Sequence, residues 1–255
     1  MSDVVVVRRH EHRVDVVIGS GERGNALSTS GWASLERVFR TIADDPDTHV
    51  VVVTGAGRTF SSGSDLREWV SAAPGDVQAG FAVMEAAFTA IEQCPIPVVA
   101  AVDGVAAGAG CQLALACDLQ ILSGSARIGM PTARLGILIS PSFAARISVL
   151  AGPAVTRDLL YTGRLVGAEE AVRVGLATRS APDATFASAL DELVGVITRQ
   201  PVAANQASKR AVGAALAPVR TAARAAADGL PIEFDSFRAG VNGFLAGHRH
   251  GSNQD

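Results

Sequence analysis

Short runs of β-branched residues alternate along the chain with segments whose apolar residues recur every three or four positions. The run HVVVVTGAG, from His49 to Gly57, is continuously apolar up to its glycines, which is typical of a strand buried on both faces. Between Thr29 and Ala43 the apolar residues fall at helical spacing, so we predict an amphipathic helix there. The first 19 residues carry two β-branched runs around a polar turn and predict a hairpin.

The same order of strand and helix recurs through the middle of the chain. The loop RTFSSGSDLREWV leads into a predicted helix, and GDVQAGFAVMEAAFTAIEQC predicts another that is stopped by PIP. PVVAAVDGVAAGAG predicts a strand and a turn before the helix CQLALAC. DLQILSGSARIGM predicts a strand with a short neighbour. Beyond about Ser140 we expect helices, with a single strand around GLATRSAP. Repeated strand–strand–helix units with apolar residues on both faces predict a layered α/β fold.

Composition and charge narrow the class of protein. The chain of 255 residues can bury a full core, and its 48% hydrophobic content and mean hydropathy of +0.28 predict a face covered by a partner subunit. A net charge of −3 argues against a nucleic-acid partner, which would need clustered Lys and Arg. The apolar run near the N-terminus is four valines long and is broken by charges, so we expect neither a signal peptide nor a membrane span.

The cysteines indicate a reducing compartment. Cys94, Cys111 and Cys117 are odd in number, lie in apolar segments and have no C-x-x-C spacing. A disulfide framework and a metal site are therefore not expected. We expect a cytoplasmic protein.

Two segments share a form that suits ligand binding. VVVTGAGRTFSSGSDL and VVAAVDGVAAGAGCQL each predict a buried strand, a glycine turn and then a helix. Glycine lets the backbone approach a ligand closely, and the first N–H groups of a helix have no partners within that helix. One such N–H group from each segment would form a pair of donors around an oxygen on which negative charge develops.

These segments resemble the crotonase family, also called the enoyl-CoA hydratase/isomerase superfamily. The resemblance spans nearly the whole chain and depends on motifs in a fixed order rather than on any one of them. They are NAL at 25–27, FSSGSDL at 60–66, the glycine-rich segment at 95–110, ALACDL at 114–119 and LLYTGRLVGAEEAVRVGLA at 159–177. The resemblance implies a spiral of repeated ββα units over residues 1–195 and a C-terminal helical trimerisation region over 196–255.

The resemblance also implies roles for particular residues. The backbone N–H groups of Ser64 and Ala109 would hold the thioester carbonyl oxygen of an acyl-CoA. Ala26, Leu27, Ser62 and Ser64 would lie along the coenzyme A path. Coenzyme A would be part of the substrate, with no prosthetic group and no metal, and the protein would assemble as a homotrimer or a dimer of trimers.

The acids of the family's hydratases are missing. Their two glutamates correspond to Gln112 and Thr132 in this sequence. Neither an amide nor a threonine hydroxyl titrates in a useful range, so neither is expected to act as a general acid or base. The Gln112 amide is equally compatible with a backbone contact in a buried wall and with a ligand contact, and Thr132 is expected to line the pocket rather than act as a nucleophile.

Other residues near the site could replace the missing acids. The candidates are Asp65, Glu68, Arg134, Ser140 and Ser142. A serine at a predicted helix start is more often an N-cap than a catalytic group. Arg134 could pair with a substrate carboxylate, although a structural ion pair is the more common role.

Two hypotheses about function follow. The first is an enzyme that acts on a CoA thioester through an enolate-like state without the usual acids, as an isomerase, a decarboxylase or a hydrolase. The second is a catalytically silent acyl-CoA carrier or sensor. Both differ from a standard hydratase.

Overall fold

The computed structural model describes residues 5–227 and 234–251, which form two β-sheets surrounded by helices. The first sheet has six strands in the order β1-β2-β3-β4-β6-β9, and the second has three in the order β5-β7-β8. The strands are β1 (Val5–Arg9), β2 (Arg13–Ile18), β3 (Val50–Gly55), β4 (Val98–Val102), β5 (Val105–Ala107), β6 (Leu119–Ser123), β7 (Arg127–Gly129), β8 (Leu165–Gly167) and β9 (Arg179–Ala181).

Strand pairing follows a repeated pattern. All neighbours in the large sheet are parallel except β1 and β2, which form the antiparallel hairpin expected from the N-terminal sequence. The consecutive strands β4 and β5 divide between the two sheets, and β6 and β7 divide in the same way. Strands β4 and β5 form one unit, and β6 and β7 form the next. The two units stack because β4 pairs with β6 and β5 pairs with β7, both in parallel.

Eight helices in the described part of the chain surround these sheets. They are α1 (Thr29–Ala43), α2 (Pro74–Gln93), α3 (Ala109–Ala116), α4 (Pro141–Thr162), α5 (Ala168–Arg173), α6 (Phe186–Thr198), α7 (Val202–Ala227) and α8 (Phe234–Gly251). Ser28 caps α1, where its Oγ accepts a hydrogen bond from the Gly31 N–H at 3.1 Å. Among these described residues, no helix is both long enough and apolar enough to cross a bilayer.

Two of the sequence predictions were wrong at short elements. The segment around REWV is a 3-10 turn (Leu66–Trp69) rather than an α-helix, because the Asp65 carboxylate caps the Arg67 N–H and the chain turns again before Pro74. Strand β8 was not predicted at all. Its three residues are too short for an alternating pattern, and it is defined by antiparallel pairing with β7.

The core lies on both faces of the large sheet, as the continuous β-branched runs predicted. All five residues of β4 are buried, as are Val50–Val53 of β3. One face packs against α1, α2 and α3, with Trp32, Phe39 and Phe88 fully buried. The other face packs against Leu193 and its neighbours on α6.

A separate apolar cluster holds α8 against the rest of the molecule. Trp69 from the 3-10 turn and Val77 from α2 pack with Phe237 and Val241 of α8, all of them buried. Helix α8 also packs on the short helical turn Pro131–Leu135. This turn carries Thr132, so α8 lies next to one of the predicted site residues.

Candidate active site

The two glycine-containing segments predicted to form the site lie side by side. Ser61 forms a parallel bridge with Ala106, and its N–H donates to the Val105 carbonyl at 2.9 Å. A Cβ added to Gly110 would lie 2.1 Å from the Ser61 carbonyl oxygen, so the start of α3 contacts this segment too closely for any side chain. The structure therefore fixes helix α3 directly against the FSSGSDL segment.

Gly63 also lies too close to the start of α3 to carry a side chain. Its φ is +105°, and a Cβ at this position would lie 2.9 Å from the Ala109 nitrogen and 3.1 Å from the Ala107 carbonyl oxygen. Ser64 directly follows Gly63 in the chain, so Ser64 lies next to the point where this segment contacts Ala109. Both the left-handed backbone and the close contact require glycine.

The amide groups of Ser64 and Ala109 are both available to a ligand. Leu27 bridges the residues on either side of Ser64, since its N–H donates to the Gly63 carbonyl and its carbonyl accepts from the Asp65 N–H, each at 2.8 Å. Ala109 is the first residue of α3 and so has no carbonyl partner within the helix. Within the described residues, neither N–H group donates a hydrogen bond. A pair of such donors suits an anionic oxygen.

The predicted coenzyme A residues belong to the loop that supports Ser64. Asn25 fixes this loop, with φ of +54° and an Nδ2 that donates to the Ala56 and Thr59 carbonyls at 2.9 and 2.6 Å. Leu27 is fully buried, whereas Ser62 is exposed and its N–H donates to the Gly24 carbonyl at 2.7 Å. Ala26 is the remaining member and is half-buried beside Leu27.

Gln112 is buried, and all of its side-chain hydrogen bonds are to protein groups. Its Oε1 accepts from Arg146 Nη1 at 2.8 Å, and its Nε2 donates to the Phe143 carbonyl at 3.3 Å. The side chain is fully inaccessible to solvent. The contact with a buried backbone group is therefore present, and a contact of Gln112 with a ligand stays a prediction.

Arg146 connects Gln112 to two carboxylates on α2. Its Nη2 donates to Glu85 at 2.8 Å and its Nε donates to Glu92 at 2.9 Å. Burial alone would lower the pKa of Arg146, but the Coulombic attraction of Glu92 and Glu85 and their hydrogen bonds outweigh it, so the pKa is raised. Arg146 is therefore a permanent cation, and the Gln112 carbonyl is its neutral partner.

Thr132 is also buried, but its hydroxyl has no hydrogen-bond partner within the described part of the chain. The residue is 6% exposed, and its Oγ1 contacts no donor or acceptor. Thr132 lies three residues beyond Gly129, whose carbonyl accepts from the N–H of Gly108 at 3.0 Å. Thr132 itself belongs to the 3-10 turn Pro131–Leu135 that follows β7, and its role in lining the site stays a prediction.

Comparison with known proteins identifies the family. The family model described as enoyl-CoA hydratase/isomerase matches residues 15–247. The chain belongs to the enoyl-CoA hydratase/isomerase family. It is 31% identical over 211 residues to a short-chain-enoyl-CoA hydratase of Clostridium acetobutylicum, covering 81% of this chain and 80% of that protein. It is 29% identical over 210 residues to a crotonyl-CoA hydratase of Syntrophomonas wolfei, covering 81% and 80%.

The fold agrees with this assignment. A solved structure described as an enoyl-CoA hydratase/carnithine racemase from Magnetospirillum magneticum superimposes with a TM-score of 0.82 at 29% identity, covering 86% of this chain and 83% of that one. The stacked strand–strand–helix units and C-terminal helices described above are thus the crotonase fold predicted from the sequence.

The carboxylates proposed as replacements for the family glutamates have structural partners. Asp65 caps Arg67 and accepts from Arg23 Nη1 at 2.7 Å. Glu68 accepts from the Thr29 N–H at 2.8 Å, at the start of α1. Each carboxylate stabilises a turn or a helix start.

The remaining candidates lie at the start of α4 and on the turn before it. Ser140 caps α4, accepting from the Phe143 N–H at 3.3 Å. Ser142 follows it in the first turn of α4. Arg134 is exposed to solvent, and its side chain lies beside Gly163. Burial raises the pKa of Cys111, beside Gln112, to about 12, so this thiol stays protonated near neutral pH. Across the described residues there is also no cluster of three metal-ligating side chains.

The sequence reasoning missed the network of Arg146, Glu85 and Glu92. A signal was present, because Glu85 and Glu92 are seven residues apart and so share one face of α2. Arg146 lies between the buried Phe143 and Ile147 on α4. A charge on a buried helix face requires a partner, and that requirement could have directed attention to these carboxylates.

The unpaired hydroxyl of Thr132 leads to a stability prediction. Replacing Thr132 by valine removes a buried polar group without a partner, so the free energy of unfolding is expected to rise by about 1 kcal/mol. Thr156→Val is the matched control, because Thr156 is similarly buried but donates to the Gly152 carbonyl at 2.8 Å. Urea denaturation should show the control losing stability. Equal losses in both variants would mean that the Thr132 hydroxyl is hydrogen-bonded.

Proposed function

We propose that this protein binds an acyl-CoA thioester, with the amides of Ser64 and Ala109 holding its carbonyl oxygen. The observation that carries the proposal is the juxtaposition of these two unengaged N–H groups at the contact of Gly63 with Ala109. Two relatives named as hydratases of crotonyl-CoA and of short-chain enoyl-CoA support the substrate class. Coenzyme A would extend along Ala26, Leu27 and Ser62 as part of the substrate, with no prosthetic group.

The two amides would stabilise an enolate-like state. Negative charge that develops on the thioester oxygen would be met by fixed donors, which require little reorganisation. One such donor contributes on the order of 10²–10³-fold to the rate of reactions in which an oxyanion forms. The two amides would polarise the thioester carbonyl, and this would assist a reaction at any bond near that carbonyl.

Proton transfer distinguishes this site from that of a standard hydratase. The position of one family glutamate holds Gln112, whose carbonyl is engaged by Arg146, and the other holds Thr132. The site is compatible with isomerisation or decarboxylation of the acyl group and with hydrolysis of the thioester. In each reaction, water or the substrate itself would carry the proton. The second candidate function is a silent acyl-CoA carrier or sensor, which the full engagement of Gln112 by protein groups favours.

Assembly and location are part of the same proposal. We expect a homotrimer or a dimer of trimers in the cytoplasm, with no nucleic-acid or membrane partner. Exposed apolar side chains support an interface between copies of the chain, because Tyr161 is 75% exposed and Leu138 is 59% exposed.

Hydration of crotonyl-CoA tests the proposal directly. The purified protein is expected to bind butyryl-CoA in isothermal titration calorimetry. Its crotonyl-CoA hydration, followed by ultraviolet absorbance, should be at least about 10²-fold slower than that of a relative with both glutamates, because each acid or base contributes roughly 10²–10⁴-fold. Hydration at a comparable rate would contradict the role given to Gln112 and Thr132. Failure to bind butyryl-CoA would contradict the whole proposal.

A panel of CoA thioesters separates the enzyme from the carrier. The protein is an enzyme if it turns over any thioester of the panel and if that turnover is lost when a substitution at Gly63 disrupts the contact with Ala109. Equal affinity for reactive and inert thioesters, with no product from the panel, supports the carrier.

A further inference from the structure

A cavity lies at the C-terminal end of helix α3, away from Ser64 and Ala109. Its volume is about 390 Å³, within the range of small-molecule sites, and it is a groove between α7, α4 and the C-terminal end of α3 that is open to solvent on one side. We refer to it as the rear cavity. Its apolar wall is formed by Leu115, Val149, Leu150, Val212, Leu216 and Val219.

The rear cavity is displaced from Ser64 and Ala109, although Arg146, which lines it, also donates a hydrogen bond to Gln112. Ala109 begins α3, whereas the cavity is lined by Leu115 and Ala116 at the other end of the same helix, which at 1.5 Å per residue is about 10 Å away. Pro97, just before β4, also lines it. None of Ser64, Ala109, Gln112 and Thr132 contributes to its wall.

One end of the rear cavity carries an excess of positive charge. Arg146, Arg220 and Arg224 surround the buried Glu92, at 2.9, 3.7 and 3.5 Å from its carboxylate oxygens. Glu85 is the one further carboxylate of this group and is paired with Arg146. Three guanidinium groups thus face two carboxylates.

The excess charge lies towards Arg220 and Arg224. Arg146 already donates to Gln112, Glu85 and Glu92, whereas Arg220 and Arg224 share Glu92 with it at longer distances. Their side chains are 32% and 42% exposed at the mouth of the cavity. An anion at this mouth would be attracted by both.

Charges in the rest of the rear cavity do not alter this balance. Lys209 pairs with Asp118 at 2.7 Å, which leaves that end neutral. The Glu85 Oε2 atom is buried without a hydrogen-bond partner, so an anionic group is disfavoured beside it. These contacts restrict a ligand's negative charge to the neighbourhood of Arg220 and Arg224.

We propose that the rear cavity binds an amphipathic monoanion, a medium-chain carboxylate, with its chain against the apolar wall and its carboxylate at Arg220 and Arg224. A single negative charge matches the single excess positive charge. A phosphate monoester carries about −1.5 to −2 at neutral pH and would overcompensate it. The apolar wall requires a hydrocarbon chain, which a small inorganic anion lacks.

Calorimetric titration of the full-length protein with sodium decanoate tests this proposal. Decanoate is expected to bind at one site per chain, and the uncharged decanol to bind about tenfold more weakly or not at all. Arg224→Gln is expected to weaken decanoate binding about tenfold as well. No binding, or equal binding of decanoate and decanol, would overturn the proposal.

Matched variants locate the bound decanoate. Leu216→Trp fills the rear cavity and should abolish binding, whereas Val196→Trp, on the exposed surface of α6, should not. Gly63→Val disrupts the candidate active site and should leave decanoate binding intact. Loss of binding in Gly63→Val, or retention in Leu216→Trp with a native circular dichroism spectrum, would place the ligand elsewhere and refute the rear site.

A second copy of the chain is the competing occupant. If it covers the rear cavity, decanoate will not bind and Leu216→Trp will change the mass measured by light scattering, an outcome that also overturns the proposal. The titration uses no CoA thioester. Failure of the proposed acyl-CoA function would therefore leave the decanoate result unaffected.

Discussion

Replacing Arg146 by methionine is expected to lower the free energy of unfolding by about 3–5 kcal/mol, the usual cost of leaving a buried charge without its partner. Glu92 is only 4% exposed, and Arg146 supplies its hydrogen bond and its closest positive charge. The change also leaves the Gln112 carbonyl without its donor. For a chain of this size the midpoint of thermal unfolding should fall by about 10 °C.

The control is a guanidinium group at the surface. Arg164 contacts Asp158 and Glu170 with a similar number of hydrogen bonds, but its side chain is 38% exposed. Arg164→Met should cost less than about 1 kcal/mol, because exposed ion pairs are screened by solvent. Calorimetry of both variants makes the comparison. Equal losses would show that burial does not determine the contribution of Arg146.

Replacing Gly63 by valine is expected to reduce butyryl-CoA affinity by about 100-fold, if each of the two amides contributes a hydrogen bond of roughly 1.4 kcal/mol. The new Cβ would lie 2.9 Å from the Ala109 nitrogen, so the start of α3 must move away from Ser64. A β-branched residue is also strained at a φ of +105°. Titration calorimetry measures the affinity.

Gly75→Val provides the matched control for this loss. Gly75 has open space around its added Cβ and lies at the start of α2, so thioester affinity should be unchanged. Circular dichroism checks that both variants are folded, and Gly63→Ala gives a smaller displacement if valine prevents folding. Unchanged affinity in a folded Gly63 variant would rule out the two amides as the thioester site.

The sequence predicted the layers of the fold well because burial leaves a strong pattern. The continuous valines of β3 and β4 are buried on both faces, and α1 begins and ends where its apolar spacing does. Elements defined by pairing alone were missed, as β8 shows. The turn after Ser64 was misjudged, because a capping carboxylate at Asp65 stabilises a 3-10 turn as readily as a helix.

The candidate site was predictable where the motif specifies backbone geometry, and not where side chains choose partners. Glycines at 63 and 110 mark the close approach of two segments, and the structure places Ser64 and Ala109 at that approach. The environment of Gln112 depends on Arg146, 34 residues later in the chain, and on carboxylates from another helix. Local spacing places the two glutamates on one face of α2, but it does not identify Arg146 as their partner or Gln112 as the neighbour of Arg146.

The contact of Gly110 with Ser61 bears on how a ligand would be received. With no room for even one added carbon between them, the first turn of α3 and the FSSGSDL segment behave as one rigid unit. If a thioester binds at Ser64 and Ala109 as proposed, it would meet donors on a backbone that is already fixed, so little conformational entropy would be lost on binding. Under the proposed function, discrimination among acyl groups would then depend on side chains outside this rigid unit.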